Sequence, residues 1–199
     1  LNGSKIFITN AGAADVFFVL AMTDKSQGTR GISAFIVEKG FEGFSIGKHE
    51  DKMGIRASST CELIFEDCIV PKENLVGELG KGFKYAMMTL DGGRIGVAAQ
   101  ALGIAEGAIE ETVKYVQERK QFGRRISQFQ NTQFELAQMK ANTEAAKLLV
   151  YQAACAKDDH EPFTHKAAMA KLVAARNASD VTRRCLQLYG GYGYTKDYP

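Results

Sequence analysis

One stretch constrains the fold of this chain more than any other. From Phe83 to Arg119, Ile95, Ala98, Leu102, Ala105, Ile109, Thr112 and Val116 recur at alternating steps of three and four. That spacing puts them on one face of a long α-helix. Many are small, which suits close helix–helix packing in a bundle. The ends of the stretch depart from this pattern. Leu90-Asp91-Gly92-Gly93-Arg94 sets two glycines inside a helix, at about 1 kcal/mol each relative to alanine, so close backbone approach is expected there. Glu118-Arg119-Lys120-Gln121-Phe122-Gly123 is expected to end the helix beside something charged and flat.

The same stepping recurs twice. It runs from about Thr132 to Lys157 through Leu136, Met139, Thr143, Ala146, Val150 and Ala153. It runs again from about Thr164 to Leu188, where Ala168, Leu172, Ala175, Ser179, Thr182 and Leu186 form the expected stripe. Asp158 to Pro162 is the turn between them, and Gly190-Gly191 ends the last helix. Three antiparallel helices with short connections predict part of a bundle. A four-helix bundle needs one more helix, expected beyond Pro199.

The first third is strand-rich instead. Lys5–Thr9 alternates, and Val16–Met22 is a continuous apolar run expected to be a buried strand. Ile32–Val37, Phe44–Ile46 and Cys61–Val70 follow, separated by polar or glycine-containing loops. Short strands with frequent turns predict an antiparallel sheet or barrel rather than βαβ units. Gly77, Gly80 and Gly82 mark a linker. The fold class is therefore α+β, with one domain over residues 1–75 and a helical one over residues 76–199.

A chain of 199 residues can bury a sizeable core. With 45% hydrophobic and 24% charged residues it has an ordinary globular composition. A net charge of +2 gives no argument for nucleic acid, and no apolar run is long enough to span a bilayer. Cys61, Cys68, Cys155 and Cys185 show neither a CxxC pair nor a zinc spacing, which predicts reduced thiols and no secretion. The start at Leu1, without an initiator Met or signal-peptide layout, and the abrupt end at Pro199 predict an excerpt of a longer protein.

Few residues stand out as chemistry. Arg119 near a helix C-terminus either favours the helix dipole or offers its fork of N–H donors to a phosphate. In Gly190-Gly191-Tyr192-Gly193-Tyr194 one glycine is explained as a helix cap, and the rest allow a planar cofactor or pyrophosphate to approach the backbone. Asp91 and Arg94 form either an intrahelical ion pair or a contact surface. Thr9 at a strand end either satisfies its hydroxyl locally or offers it to a ligand. His49, His160 and His165 form no metal set, and no Ser-His-Asp order argues for hydrolysis.

Six segments in order resemble the flavin-dependent acyl-CoA dehydrogenases, most closely the short-chain (butyryl-CoA) members. They are Lys5–Ala11, Asp51–Arg56, Phe65–Pro71, Leu90–Arg94, Glu118–Gly123 and Gln187–Tyr194. The resemblance implies the later part of a middle antiparallel β-barrel followed by most of an up-down C-terminal helical bundle. It implies FAD bound between two subunits. Phe7, Ile8 and Thr9 would line the flavin ring, with Phe7 where many relatives carry Trp and Thr9 bonding near N5. Arg119, Lys120, Gln121, Phe129 and Gln130, with Gln187, Leu188, Tyr189, Gly190 and Gly191, would reach the FAD of the neighbouring subunit. Asp91, Gly92, Gly93 and Arg94 would contact the coenzyme A part of the substrate.

The implied reaction is α,β-dehydrogenation of short-chain acyl-CoA thioesters to trans-2-enoyl-CoA. A carboxylate takes the α-proton, the β-hydride goes to the flavin, and electrons pass to an electron-transferring flavoprotein. The family's glutamate base is expected in a segment after the Gly-rich motif, beyond Pro199. The alternative base position, just before Arg94, is Gly93, and the flavin-binding segment expected before Leu1 is not in the chain. The chain alone is therefore expected to be inactive. The resemblance also implies a homotetramer, a dimer of dimers, in a bacterial cytoplasm or the mitochondrial matrix. A flavin-dependent enoyl-CoA reductase of the same family and a non-catalytic interaction module that kept the fold are the alternatives.

Overall fold

In the computed structural model, which describes residues 1–198, the chain divides into two compact units, Leu1–Met88 and Thr89–Pro199.

The first unit is built from two small antiparallel sheets. One has the order β1-β5-β4, from Gly3–Thr9, Thr60–Phe65 and Phe44–His49; the other pairs β2 (Val16–Met22) with β3 (Ile32–Glu38). Their facing side chains make one core, in which Phe17 and Val19 of β2 and Val37 of β3 meet Phe44, Leu63 and Phe65. The Phe44 ring lies 5.0 Å from Phe17 and 5.1 Å from Phe65, a spacing at which tilted aromatic pairs attract. Gly43 turns the chain into β4 at φ +76, and a Cβ there would lie 2.2 Å from the Glu66 carbonyl oxygen. Only glycine fits.

Two expectations change here. The run Val16–Met22 is a strand with those bounds, but it is buried on one face only: Phe17 and Val19 are in the core while Val16, Phe18 and Met22 are exposed. The alternation of a strand acts on it as on any other, and both faces happen to be apolar. The segment after Asp24, read as loop, is a 3-10 turn from Lys25 to Gly31, and Asp24 caps it by accepting from the Ser26 N–H at 2.9 Å.

The second unit is helical. Helix α1 spans Gly82–Glu118, its first residues falling in the first unit; α2 spans Gln130–Asp158 and α3 spans Thr164–Leu188. Ala98, Leu102, Ala105, Ile109, Thr112 and Val116 are buried along α1, and Met139, Thr143, Ala146, Val150 and Ala153 along α2, the faces their spacing predicts. Small side chains bring the helices close, with Ala98, Ala146, Ala170 and Ala174 in one cluster. Buried polar groups fix the register of α2 on α3. Thr143 donates to the Met139 carbonyl at 2.8 Å and accepts from the Asn177 amide at 2.9 Å.

The face of α3 is a correction. Its buried stripe is Ala167, Ala170, Ala174, Ala178, Val181 and Cys185, while Leu172 is 49% and Leu186 57% exposed. The expected stripe is out of phase because alanine sits on both sides of this helix. Close packing chose the smaller set.

Candidate cofactor and substrate site

Between α1 and α2 the chain makes a short hairpin, β6 (Lys120–Gln121) with β7 (Arg124–Arg125). Its two turn residues, Phe122 at φ 54 and Gly123 at φ 79, are both left-handed, as a tight hairpin turn requires. The sequence predicts only a helix end here, not a hairpin. Phe122 is a poor turn residue because a left-handed backbone strains a bulky side chain, and it is 92% exposed.

At the same end of the bundle α3 stops. Its last carbonyls accept from the Tyr189 N–H, those of Cys185 and Leu186 among them, and Gly190 follows at φ +59, a left-handed helix cap. Gly190 to Tyr194 then forms a 3-10 turn. The ends of α1 and α3 are locked together by tyrosines. The Tyr115 ring stacks on Tyr189 at 4.2 Å, and its hydroxyl donates to the Tyr189 carbonyl at 3.2 Å. Burial pushes both phenols above the ordinary tyrosine range, and Arg119 opposes the shift at Tyr115.

Between these elements lies a cavity of about 540 Å³. Arg119, Gln121, Gln187, Leu188, Tyr189, Gly190 and Gly191 line it, so the fold gathers seven of the sequence-predicted residues. Lys120 and Gln130 are exposed outside it. Phe129 also stands apart, with the Arg124 guanidinium 4.0 Å over its ring and its edge against Phe122 at 6.4 Å. Tyr192 of the glycine-rich motif lines the cavity as well, and so do Tyr115, Ile126 and Thr195, which were missed. Tyr115 could have been found, since it lies one helical turn before Arg119 on the same face.

The electrostatics are one-sided. Among the described residues no carboxylate lines the cavity, and none pairs with Arg119. A Cβ added at Gly190 or Gly191 would meet nothing within 4 Å, so that backbone is open to a ligand. A free guanidinium, amide side chains and bare backbone beside stacked aromatic rings fit a phosphate-bearing group with a flat part.

In the first unit, Phe7 sits in a β-bulge between Lys5 and Ile8, at φ 57 and 66% exposed. A bulge re-aims a side chain that strand alternation would direct otherwise. Ile8 and Thr9 line a separate groove of about 390 Å³ with Val16 and Phe18.

Asp91 to Arg94 lie in α1 at the opposite end of the second unit, with Arg94 about 37 Å along the helix direction from Arg119 at 1.5 Å per residue. Asp91 pairs with Arg94 and accepts from the Thr164 hydroxyl at 2.7 Å, so its carboxylate fastens α1 to the start of α3. Gly92 faces Lys157, with Nζ 3.5 Å from where a Cβ would stand, while Gly93 borders open space. No group of three or more His, Cys, Asp or Glu among the described residues could hold a metal ion. No described helix is long and apolar enough to cross a membrane.

Residues 1–68 match the acyl-CoA dehydrogenase middle domain and residues 80–199 the acyl-CoA dehydrogenase C-terminal domain. The chain is 63% identical to the short-chain specific acyl-CoA dehydrogenase of Clostridium acetobutylicum, covering 100% of this chain and 52% of the relative. It is 57% identical to the acryloyl-CoA reductase (NADH) of Anaerotignum propionicum, covering 100% and 50%. The solved structure of butyryl-CoA dehydrogenase from Megasphaera elsdenii superposes with a TM-score of 0.96 at 61% identity, again over 100% of this chain and 52% of that one. The chain spans about half the length of the relatives it matches. In sequence and in fold, it belongs to the acyl-CoA dehydrogenase family.

Proposed function

We propose that this chain is part of an FAD-dependent enzyme that oxidises short-chain acyl-CoA thioesters to trans-2-enoyl-CoA and passes electrons to an electron-transferring flavoprotein. The observation that carries the reading is the cavity at the end of the bundle, where Arg119 stands beside the open backbone of Gly190 and Gly191 and no carboxylate among the described residues lines the wall. The short-chain specificity rests on the 63% identity to the Clostridium acetobutylicum relative.

In this reading Arg119 holds the pyrophosphate of FAD, Gln121 and Gln187 bond its polar edges, and Gly190-Gly191 lets it approach. Lys120, Phe129, Gln130, Leu188 and Tyr189 complete that contact. Phe7, Ile8 and Thr9 line the flavin ring of a second FAD, so that each cofactor is shared by two subunits of a homotetramer. FAD, when bound, supplies the acceptor for the two electrons the substrate loses. Asp91 to Arg94 hold the coenzyme A portion, with Arg94 the cationic member. Gly93 has no side chain to act as base, so we place the base after the Gly190–Tyr194 turn. Residues 1–75 belong to the middle domain and 76–199 to the C-terminal domain, a division supported by the linker glycines. The free state of all four cysteines favours a reducing compartment, a bacterial cytoplasm or the mitochondrial matrix.

The 57% identity to an acryloyl-CoA reductase favours a second reading, the same chemistry run toward the saturated thioester. One experiment separates the two. Full-length protein is purified with its flavin, and the oxidised band is followed after anaerobic addition of butyryl-CoA. Bleaching, with reoxidation by electron-transferring flavoprotein, supports the dehydrogenase. A band unmoved by butyryl-CoA, with a reduced form reoxidised by short enoyl-CoA, supports the reductase. A colourless protein contradicts both.

A further inference from the structure

The packing stripes of the three helices turn polar at one end of the bundle. One step of three or four before Ile95 on α1 stands Asp91; one step after Ala153 on α2 stands Lys157; one step before Ala167 on α3 stands Thr164. That spacing puts each on the face its helix turns to its neighbours. The end of a bundle can be polar without a purpose, but here the charges are matched unequally.

Asp91 is fully used, since it pairs with Arg94 and accepts from the Thr164 hydroxyl at 2.7 Å. Lys157 is not. Its stem crosses to α1 over bare backbone, with Nζ 3.5 Å and Cε 3.9 Å from where a Cβ of Gly92 would stand. Among the described residues its ammonium has no ion-pair partner. The acids of the following turn leave it alone: Glu161 pairs with Lys166 at 3.1 Å, and Asp158 and Asp159 make no ion pair.

This layer therefore sets one carboxylate against two cations, Arg94 and Lys157. α3 begins in it with no side-chain cap and no acidic residue in its first turn, so its leading N–H groups add potential of the same sign. Gly93 beside them borders open space, which leaves room for a ligand to lie along α1. An unpaired ammonium held over open helix backbone suits a compact, strongly anionic group such as a phosphate, which Lys binds as a point charge. Coenzyme A carries its phosphates at the nucleotide end and none along its pantetheine arm.

We propose that Lys157 is a further substrate-binding residue, which takes a phosphate of the coenzyme A portion while Asp91 to Arg94 hold the same ligand. The inference rests on the enzymatic reading above. It adds the residue by which the site tells a coenzyme A thioester from the same thioester on bare pantetheine.

The test uses full-length protein with its flavin oxidised and two probes, crotonyl-CoA and crotonyl-pantetheine, the second lacking every phosphate. Isothermal titration is run on the parent, Lys157→Met and Lys157→Arg, each checked by circular dichroism. Lys157→Met is expected to bind crotonyl-CoA about tenfold more weakly, the loss of one charge-assisted hydrogen bond, and crotonyl-pantetheine as the parent does. Lys157→Arg is expected to stay near the parent. Added salt should weaken the parent's hold on crotonyl-CoA more than that of Lys157→Met. Equal affinity of the parent and Lys157→Met for crotonyl-CoA overturns the assignment. An equal loss for both probes overturns it too, because it marks Lys157 as a packing residue. A parent that binds neither probe overturns the inference together with the reading it rests on, and its flavin content shows whether the cofactor assignment falls as well.

Discussion

The guanidinium of Arg119 lies 5.3 Å from the centroid of the Tyr192 ring. Arg119 directly follows α1, its N–H donating to the Tyr115 carbonyl at 2.9 Å, and Tyr192 comes from the turn after α3. Their contact is possible because Tyr115, one helical turn before Arg119, stacks on Tyr189 and holds the two helix ends together. A cation over an aromatic face keeps its N–H fork free for another acceptor, so the cation is held in place without being neutralised.

Arg119→Ala is expected to weaken FAD binding by about 10–100-fold, the loss that goes with a charge-assisted hydrogen bond of roughly 1.5–3 kcal/mol. Arg119→Lys is expected to fall between, since an ammonium keeps the charge and loses the planar fork. Fluorescence titration of deflavinated full-length protein with FAD measures both. Equal affinities for all three proteins would contradict the assignment.

Thr143 is fully buried and bonded on both sides, to Met139 and Asn177. Thr143→Ala leaves the Asn177 amide without that acceptor, and about 1–3 kcal/mol of stability is expected to be lost. Urea unfolding gives the value. Thr143→Ala combined with Asn177→Ala should lose less than the sum of the two single changes.

Gly43→Ala combines a backbone at φ +76 with a Cβ 2.2 Å from a carbonyl oxygen. Strain and overlap together are expected to cost more than about 2 kcal/mol. A control is Gly103→Ala in α1, where a Cβ meets nothing within 4 Å and helix propensity predicts a gain of about 1 kcal/mol. Thermal melts of the two variants should move in opposite directions.

Stability should decline on the alkaline side. Burial raises the pKa of the Cys185 thiol and of the Tyr115 and Tyr189 phenols, so the folded protein holds these protons more tightly than the unfolded chain does. Their contribution is complete below the unfolded values, near 8.5 for a thiol and 10 for a phenol. It is lost as pH rises through the folded values. Tm measured from pH 7 to 10.5 should fall above about 8.5, and spectrophotometric titration should find Tyr115 and Tyr189 ionising above the ordinary tyrosine range.

The helices were legible because their periodicity is long. α3 has the bounds its sequence predicts, and α1 and α2 differ by a residue or two. Which face of α3 turns inward was not legible, because Ala167, Ala168, Ala174 and Ala175 put equal hydrophobicity on neighbouring faces, and packing distance decides between them. The hairpin after α1 was missed because Phe122 occupies a left-handed turn position that asparagine or glycine usually fills. In the site, Arg119 and the Gly190–Gly191 pair were legible as chemistry out of place in a helix end. Tyr115 and Thr195 were not, because only the pairing of two distant helix ends brings them to the cavity.

The most direct measurement is the absorption spectrum of the full-length protein after desalting, beside its Arg119→Ala variant. The account predicts flavin bands that stay with the parent and are largely lost from the variant, with both proteins equally folded by circular dichroism. A parent without flavin, or a variant that retains it in full, would contradict the claim that the cavity at Arg119 and Gly190–Gly191 holds the cofactor.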